Sequence, residues 1–264
     1  MISIVIPAYN AAEYIKRAID SVKAQTYADW QCIVVNDGSR DATLKVAMDE
    51  TFGDKRFLVV STADNRGLSA ARNLGIRHAT GKYVTFLDAD DWLSPEALET
   101  MERETRGLRV RRGIFIEQNE WPDGRSSPWT INNPGLHLAT STALFASADC
   151  DIGHVTGCLY LREGLREFRK VWRFEDMIHG FESLFAGESV YISREVVYHY
   201  SRRPGSLINS DYSFRDANEA RAAFLDIVAQ YNPPAEVRER CETFLKNAIR
   251  GQLRKMGLEK QWKF

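Results

Sequence analysis

The sequence predicts an α/β protein in which helices cover both faces of a mostly parallel sheet. In the first half of the chain, short apolar runs alternate four times with segments whose apolar residues recur at helical spacing. The connections between them are short, and parallel strands joined in this way need helices on both faces of the sheet. With 264 residues, the chain is long enough for one large domain or one and a half.

The four strand-and-helix units of the first half are defined by apolar spacing and by turn residues. We expect Pro7 to end the first strand, because proline has no backbone donor. The last helix of this half is predicted to open with Ser94 as N-cap and Pro95 at the first helical position. In chain order the predicted elements are strand 2–7, helix 11–25, strand 30–35, helix 41–51, strand 56–60, helix 69–79, strand 83–87 and a helix from residue 94.

The second half of the chain gives weaker signals. A strand is expected within residues 107–117, although two adjacent arginines there weaken the apolar pattern. Residues 121–135 contain three prolines and are expected to form an irregular crossing or loop. The remaining predicted elements are strand 155–161, helix 174–185, strand 189–200 and two C-terminal helices.

Composition and charge exclude several classes of protein. Hydrophobic residues make up 44% of the chain and charged residues 27%, which excludes a disordered chain. The formal net charge of -1 gives no overall positive field, so no nucleic-acid partner is expected. The four cysteines form no CxxC pair, which argues against a zinc cluster and fits a reducing compartment. Without a long apolar run or a signal peptide pattern, we expect a cytoplasmic protein.

Polar clusters follow each of the four predicted strands. Ligands of open parallel sheets bind beyond the carboxyl ends of the strands. One such cluster would be an ordinary turn, whereas four on one edge of the sheet predict a binding site. The clusters are Pro7-Ala8-Tyr9-Asn10, Asn36-Asp37-Gly38-Ser39, Asp64-Asn65-Arg66-Gly67 and Asp88-Ala89-Asp90-Asp91.

Two carboxylates of the fourth cluster, Asp88 and Asp90, form a candidate metal site. Carboxylates two residues apart at a strand end can point into one pocket, where Mg²⁺ or Mn²⁺ takes one or two of them together with phosphate oxygens and water. The alternative is a solvated turn before the next helix, with Asp91 as a favourable charge at that helix N-terminus. The chain has no GxxxxGK[ST] motif, which excludes a P-loop, and no GxGxxG motif follows a strand.

These clusters and their surroundings resemble the motifs of family 2 glycosyltransferases of the bacterial polysaccharide type. The resemblance covers roughly residues 1–100 in the family's order and spacing. Phe174-Glu175-Asp176 is similar to the family's Glu-Asp motif, and residues 196–202 with Ser206 are similar to its C-terminal strand and loop. The matching blocks of the first half are Pro7-Ala8-Tyr9-Asn10, Asn36-Asp37-Gly38-Ser39-Arg40-Asp41, Asn65-Arg66-Gly67-Leu68-Ser69-Ala70-Ala71-Arg72-Asn73-Leu74-Gly75 and Phe86-Leu87-Asp88-Ala89-Asp90-Asp91.

The resemblance implies a GT-A fold, with a Rossmann-like, mostly parallel sheet and a C-terminal helical extension. Residues 1–210 then form the catalytic domain, with a nucleotide-binding half at 1–105 and an acceptor-binding half at 106–210, and residues 211–264 form the helical segment. The implied activity moves a sugar, with inversion, from a nucleotide-sugar such as a UDP-sugar to a saccharide or lipid-linked acceptor. It depends on Mn²⁺ or Mg²⁺ and serves polysaccharide biosynthesis of the cell envelope.

The same resemblance assigns the nucleotide and metal residues. Asp37 is expected to accept a hydrogen bond from the base, Asp90 to coordinate the cation, and Asp88 to hold the ribose or join the metal shell. Two alternatives stay open, in which Asp37 shapes a turn and Arg72 pairs with a helix carboxylate. The implied nucleotide-binding residues are Pro7, Ala8, Tyr9, Asp37, Asn65, Arg72 and Asp88.

Asp176 is the candidate catalytic base, since an inverting transfer needs a base for the acceptor hydroxyl and this residue lies at a predicted helix start. The alternative for Asp176 and for Glu175 is to complement the helix dipole.

His199 and Arg202 are candidates for contact with the diphosphate or the metal, and a packed side chain is the alternative for His199. Residues 201–210 resemble a lid over phosphate. The candidates for the acceptor site are His154 and Trp172.

Two other functions remain possible. A sugar nucleotidyltransferase also has a nucleotide-binding sheet, but it needs a glycine-rich activating loop after the first strand, and residues 7–10 offer none. A binding module without turnover would share the fold, and the presence of Asp37, Asp90 and Asp176 argues against it.

The predicted C-terminal helix carries an apolar stripe with basic residues beside it. One interpretation packs the stripe on the catalytic domain. The other places the helix on an anionic membrane, as a peripheral contact with the inner face where lipid-linked acceptors lie. The stripe consists of Leu245, Ile249, Leu253 and Met256, its basic neighbours are Lys246, Arg250 and Arg254, and the chain ends with Trp262 and Phe264.

Overall fold

The computed structural model describes residues 1–108, 110–128, 135–137, 154–203 and 212–262. Within these residues the chain forms one ten-stranded sheet with helices on both faces, which confirms the predicted α/β fold. Part of the predicted lid, from residue 204 onward, and the terminal Phe264 lie outside the described residues.

The described residues form ten strands and seven α-helices. The strands are β1 (Ile2–Ala8), β2 (Trp30–Asn36), β3 (Phe57–Ser61), β4 (Tyr83–Phe86), β5 (Trp92–Leu93), β6 (Arg112–Glu120), β7 (Ser126–Pro128), β8 (Gly135–His137), β9 (Cys158–Leu161) and β10 (Val190–Ser201). The helices are α1 (Ile15–Lys23), α2 (Thr43–Thr51), α3 (Leu68–His78), α4 (Ala97–Thr105), α5 (Glu175–Phe185), α6 (Phe214–Tyr231) and α7 (Ala235–Lys255).

The sheet has the strand order β3-β2-β1-β4-β9-β6-β10-β5, with β7 on β6 and β8 on β10. Strands β3, β2, β1 and β4 are parallel, β9 is antiparallel to both of its neighbours, and β10 is parallel to β6. The reversal at β9 therefore restores the original direction in β6 and β10. As a result, β1, β2, β3, β4, β6 and β10 all end at one edge of the sheet, which we call the carboxyl edge.

Alternating residues of the strands supply two cores, one on each face of the sheet. On β1, for example, Val5 belongs to the core that includes α3, α5, α6 and α7, whereas Ile4 and Ile6 belong to the core that includes α1 and α4. All three side chains are fully buried. The sheet is thus held from both faces, and its carboxyl edge is free to carry polar side chains.

The prediction that Pro7 ends the first strand is wrong. The strand continues to Ala8, and Pro7 pairs with Val35 of β2. The carbonyl of Val5 accepts a bond from Leu87 on the β4 side. Because strand residues alternate in direction, Pro7 faces that same side, just beyond the residues that pair with β4, so its missing N–H falls outside the paired stretch of the two strands.

The predicted start of the fourth helix at Ser94 is also wrong, since α4 begins at Ala97. The Ser94 carbonyl accepts a bond from the Ala97 N–H in a turn, and its hydroxyl lies 2.9 Å from Nε2 of His199. A contact with a distant strand therefore replaces the expected helix cap.

Residues 121–128 form a hairpin rather than the predicted irregular crossing. Strand β7 pairs with the end of β6, with Glu120 opposite Ser126, and the five-residue loop contains Gly124 with a φ of 83°. An Asp-Gly dipeptide in such a loop favours this turn because glycine adopts positive φ without strain. The strand expected within residues 107–117 is present but runs later, from Arg112 to Glu120.

The apolar stripe of the C-terminal helix packs inside the protein. Leu245, Ile249 and Leu253 of α7 are fully buried in the same core as α5 and α6, and Trp262 is also buried. The membrane interpretation needs this stripe at the surface, so the packing contradicts it. Among the described residues, no helix combines the length and the apolar character needed to cross a bilayer.

Candidate active site

Two adjoining cavities open at the carboxyl edge of the sheet. The first, of about 370 Å³, lies over the ends of β1, β2 and β4, and the second, of about 500 Å³, lies over the ends of β4, β6 and β10 and against α5. Four residues line both cavities and form the boundary between them. They are Leu68, Asp88, Trp172 and Tyr200.

The first cavity collects most of the predicted nucleotide residues. They reach it from different strand ends, as the coincidence of polar clusters in the sequence predicts. The predicted residues that line it are Pro7, Ala8, Tyr9, Asp37, Asn65, Asp88, Asp90 and Trp172. Arg72 and His199 are not among its lining residues.

Asp37 is buried at the floor of this cavity and organises the following loop. Its carboxylate accepts bonds from the Thr62 hydroxyl at 2.9 Å and from the backbone N–H groups of Arg66 and Gly67 at 3.0 and 2.8 Å. The Asn65 side chain also accepts a bond from the Gly67 N–H, at 2.9 Å. These bonds match the alternative in which Asp37 shapes a turn. Asp37 also lines the cavity, so its contact with a nucleotide base stays a prediction.

Arg72 lies buried between the two halves of the chain. Its guanidinium contacts the carboxylates of Asp88 at 3.1 Å and Glu175 at 2.7 Å. Burial disfavours its charge, but the two carboxylates outweigh that effect and raise the pKa of Arg72. The structure thus shows the pairing with a helix carboxylate that the sequence left as an alternative to a nucleotide contact.

The three aspartates after β4 take three different roles. Burial raises the pKa of Asp88 to about 6, against the opposing charge of Arg72. Asp90 pairs with Arg203, whose guanidinium lies 2.7 Å from Oδ2. Asp91 accepts bonds from the Tyr198 hydroxyl at 2.6 Å and the Ser201 N–H at 2.7 Å. Asp91 therefore holds the end of β10 in place, which contradicts the alternative in which it is a charge at a helix N-terminus.

Asp88 and Asp90 fit a divalent cation bound together with a nucleotide diphosphate. Both line the first cavity, and Mg²⁺ and Mn²⁺ sites of this kind use one or two protein carboxylates with phosphate and water. No group of three or more His, Cys, Asp or Glu residues suited to a metal occurs in the described part of the chain, so the protein alone supplies an incomplete shell. Arg203 lies 2.7 Å from Oδ2 of Asp90, and its positive charge would oppose a cation at this carboxylate.

Asp176 lines the second cavity at the first turn of α5. Its Oδ1 accepts a bond from the Met177 N–H at 2.7 Å, and burial raises its pKa above the usual range despite the nearby charges of His154 and Arg72. Its neighbour Glu175 points instead to Arg72. The alternative in which Glu175 only complements the helix dipole is therefore wrong, because Glu175 forms a buried ion pair.

The two acceptor candidates both line the second cavity. His154 lies with Nδ1 3.4 Å from the carboxylate of Glu117, which also accepts a bond from the Thr156 hydroxyl. Trp172 is 44% exposed, and its ring packs against Gly67, where an added Cβ would lie 3.0 Å from the ring. Trp172 therefore stands on the boundary between the cavities.

His199 lines neither cavity. Its Nε2 lies 2.9 Å from the Ser94 hydroxyl, its Nδ1 lies 3.0 Å from Glu120, and its ring stacks on Trp92 with centroids 5.1 Å apart. The structure thus shows His199 as a packed side chain, which was the alternative to a contact with the diphosphate or the metal. Arg202, the other candidate for the diphosphate, lines the second cavity rather than the first.

Several wall residues escaped the sequence analysis. Tyr200 is the last residue of the predicted strand 189–200, and Arg203 lies in the predicted lid at residues 201–210, so both positions had a signal although neither residue was assigned to a cavity. Ala248 and Gln252, four residues apart on α7, gave no local signal, because only the packing of that helix brings them to the cavity. The further residues of the second cavity include Glu117, Asn119, Arg173, Tyr212, Ala248 and Gln252.

A sheet of this order, with carboxylates around two cavities on its carboxyl edge, is typical of an α/β protein that binds a ligand at that edge. The model of the family described as Glycosyl transferase family 2 matches residues 3–159. The chain belongs to this family and is a glycosyltransferase enzyme, which contradicts the nucleotidyltransferase alternative.

Two relatives that are similar in sequence to this chain are also described as glycosyltransferases. The putative glycosyltransferase EpsH of Bacillus subtilis is 30% identical over 92% of this chain and 74% of that protein. Glycosyltransferase GlyA of Streptococcus pneumoniae is 40% identical over 39% of this chain, but the matched part is only 15% of that protein.

Solved structures share the fold. TarS of S. aureus (residues 1–349, in complex with UDP-GlcNAc) superposes with a TM-score of 0.72 at 17% identity, over 96% of this chain and 72% of that one. The mannosyltransferase PcManGT of Pyrobaculum calidifontis, in complex with GDP-Man and Mn²⁺, gives a TM-score of 0.67 at 17% identity, over 98% of this chain and 73% of that one.

Proposed function

We propose that this chain transfers a sugar from a nucleotide-sugar donor, with UDP as the nucleotide, to a saccharide or lipid-linked acceptor with inversion. The observation that carries the proposal is the pair of adjoining cavities, with Asp88 on their boundary and Asp176 in the second. The complexes of TarS with UDP-GlcNAc and of PcManGT with GDP-Man and Mn²⁺ support a nucleotide-sugar donor and a divalent cation for proteins of this fold.

The first cavity is the proposed donor site. Pro7, Ala8 and Tyr9 offer an apolar and aromatic wall to a nucleotide base, and the loop organised by Asp37 encloses it. Asp90, together with Asp88, is the proposed ligand of Mn²⁺ or Mg²⁺. A bound cation supplies positive charge against the departing diphosphate.

The second cavity is the proposed acceptor site, with Asp176 as the general base. The acceptor hydroxyl gives its proton to the Asp176 carboxylate while its oxygen bonds to C1 of the sugar. The bond from C1 to the diphosphate oxygen breaks, and its electron pair leaves with the nucleotide. The raised pKa of Asp176 makes it a stronger base than an exposed aspartate, and the ion pair of Glu175 with Arg72 fixes the start of α5.

Donor hydrolysis tests this function without a known acceptor. The full chain with Mn²⁺ and a panel of UDP- and GDP-sugars should release the free nucleotide diphosphate slowly, and a true donor should raise the melting temperature by mass action. Binding of a donor without release of the nucleotide would favour a binding module. The absence of both binding and release would contradict the proposal.

The division into residues 1–105, 106–210 and 211–264 remains part of the proposal. So do polysaccharide biosynthesis of the cell envelope and a lipid-linked acceptor. If a membrane contact exists, it involves a surface other than the apolar stripe of α7, since Leu245, Ile249 and Leu253 are buried.

A further inference from the structure

We propose that the second cavity takes an acceptor that carries an anionic group, a phosphate or a carboxylate, and that Arg202 binds this group. The proposal rests on the assignment of the second cavity as the acceptor site. It is carried by the pairing of charges in the cavity wall and by the way in which Arg202 is held.

Most charged groups of the second cavity are compensated within the protein. Arg72 lies between the carboxylates of Glu175 and Asp88. Glu117 lies 3.4 Å from Nδ1 of His154. The positively charged side chains among these groups therefore already face carboxylates of the protein and are not available to an anionic ligand.

Two charged groups of the wall have no partner of opposite charge at salt-bridge distance in the described part of the chain. One is Asp176, whose side chain accepts only the Met177 N–H, and the other is Arg202. Arg173, the remaining charged residue of the wall, has an interaction of its own. An acceptor that presents a hydroxyl to Asp176 and an anion to Arg202 would satisfy both groups at once.

Arg202 is held in a fixed orientation. Its Nε donates to Oδ1 of Asn119 at 2.7 Å, its backbone N–H donates to the Glu120 carbonyl at 2.7 Å, and its guanidinium lies 4.8 Å from the centroid of the Tyr200 ring. A guanidinium fixed at Nε presents its two terminal nitrogens to a planar or tetrahedral anion, which is the geometry of bidentate carboxylate and phosphate recognition.

The donor diphosphate is the other possible source of an anion, and the wall compositions argue against it. The first cavity has its own arginine, Arg203, next to Asp90, whereas Arg202 lines only the second. The anion that Arg202 binds is therefore assigned to the acceptor.

The rest of the wall suits a sugar ring. Aromatic side chains offer faces on which a sugar can stack, and Gln252 of α7 offers an amide for its hydroxyls. The acceptor class that fits both parts of the wall is an anionic saccharide. The aromatic residues concerned are Trp172, Phe174, Tyr200 and Tyr212.

Calorimetry with matched sugars tests this proposal. The full chain is saturated with UDP and Mg²⁺ and titrated with glucuronate and glucose 6-phosphate against neutral glucose. Both charged sugars should bind about 10- to 100-fold more tightly than glucose, as a charge-assisted pair implies. Arg202→Gln should remove this preference, Arg202→Lys should keep part of it, and the control Arg194→Gln, at an exposed position of the same strand, should keep all of it.

Two outcomes overturn the proposal. Equal binding of charged and neutral sugars, including no measurable binding of either, excludes an anionic acceptor site. Loss of UDP affinity in Arg202→Gln, with the sugar preference unchanged, assigns Arg202 to the diphosphate instead. Donor hydrolysis by the parent protein tests the proposed function separately. A failure of the proposed function is therefore distinguishable from a failure of the anionic acceptor site.

Discussion

The guanidinium of Arg203 lies 2.7 Å from Oδ2 of Asp90, the carboxylate proposed to bind the divalent cation. The same guanidinium also lies 4.2 Å from the centroid of the Tyr14 ring. A cation bound to Asp90 would meet the positive charge of Arg203 at the same carboxylate, so Arg203 opposes metal binding there. This relationship makes Arg203 a competitor of the metal.

Arg203→Gln is therefore expected to bind Mn²⁺ more tightly in the absence of nucleotide. A partly exposed ion pair contributes up to about 1 kcal/mol, which corresponds to roughly a five-fold decrease in the Kd for Mn²⁺. Electron paramagnetic resonance of free Mn²⁺ measures this directly. The control Arg66→Gln removes an exposed arginine near the same cavity and should leave the Kd unchanged, and an unchanged Kd in Arg203→Gln would show that Asp90 is not the cation ligand.

Asp176→Asn is expected to keep donor binding and lose transfer. The substitution is nearly isosteric and removes the basic oxygen, so kcat should fall by about 10²–10⁴-fold while the affinity for UDP stays within a few-fold of the parent. Turnover close to that of the parent would place the base elsewhere. In the parent, activity should fall as the pH decreases through the pKa of Asp176, which burial places above that of an exposed aspartate.

Arg72→Met is expected to destabilise the protein strongly. It leaves the buried carboxylates of Asp88 and Glu175 without their counter-charge, and breaking a buried pair in this way costs about 3–5 kcal/mol. Arg77→Met, on the same helix, breaks the exposed pair with Glu167 and should cost less than about 1 kcal/mol. Urea denaturation of both variants gives the comparison. Similar losses in the two variants would mean that Arg72 holds no structural charge network.

His179→Phe should reduce the loss of stability in acid. The imidazole is buried against Phe168, neither ring nitrogen has a hydrogen-bond partner in the described structure, and burial lowers its pKa to about 3. Between pH 6.5 and 3 the unfolded chain therefore binds a proton at this residue that the folded chain does not, and stability falls as the pH decreases.

At pH 5 the contribution of His179 to this loss is about 2 kcal/mol relative to pH 8. Between pH 8 and pH 5 the parent should therefore lose that much more free energy of unfolding than His179→Phe. Denaturation curves of both proteins at the two pH values measure this difference. The carboxyl groups titrate equally in both proteins. If the two proteins lose the same stability as the pH decreases, His179 is not held neutral in the folded chain.

The sequence predicted the fold and most of the first cavity because local patterns determine them. Strand ends, turn residues and helical spacing placed Asp37, Asp88 and Asp90 on one edge without any long-range information. The Asp-Gly turn of the hairpin at residues 121–128 is a local signal of the same kind, whereas the three prolines of residues 121–135 favoured an irregular crossing.

Other features depend on residues that are distant in the chain. The partner of Arg72 is Glu175, and the hydroxyl of Ser94 bonds His199 rather than capping α4. No local pattern reports such a contact, because it forms only when β10 and α5 reach the first half of the sheet. The same limit explains why Gln252 was missed as a cavity residue.

The ion pair of Arg72 with Glu175 joins residues that are 103 positions apart. During synthesis, the segment that carries Asp88 and Arg72 therefore leaves the ribosome long before the segment that carries Glu175 and Asp176. Until then Arg72 has only one of its two carboxylates, and the wall shared by the cavities is incomplete. An enzyme cut between β4 and α5 would need both pieces together before either could turn over a donor.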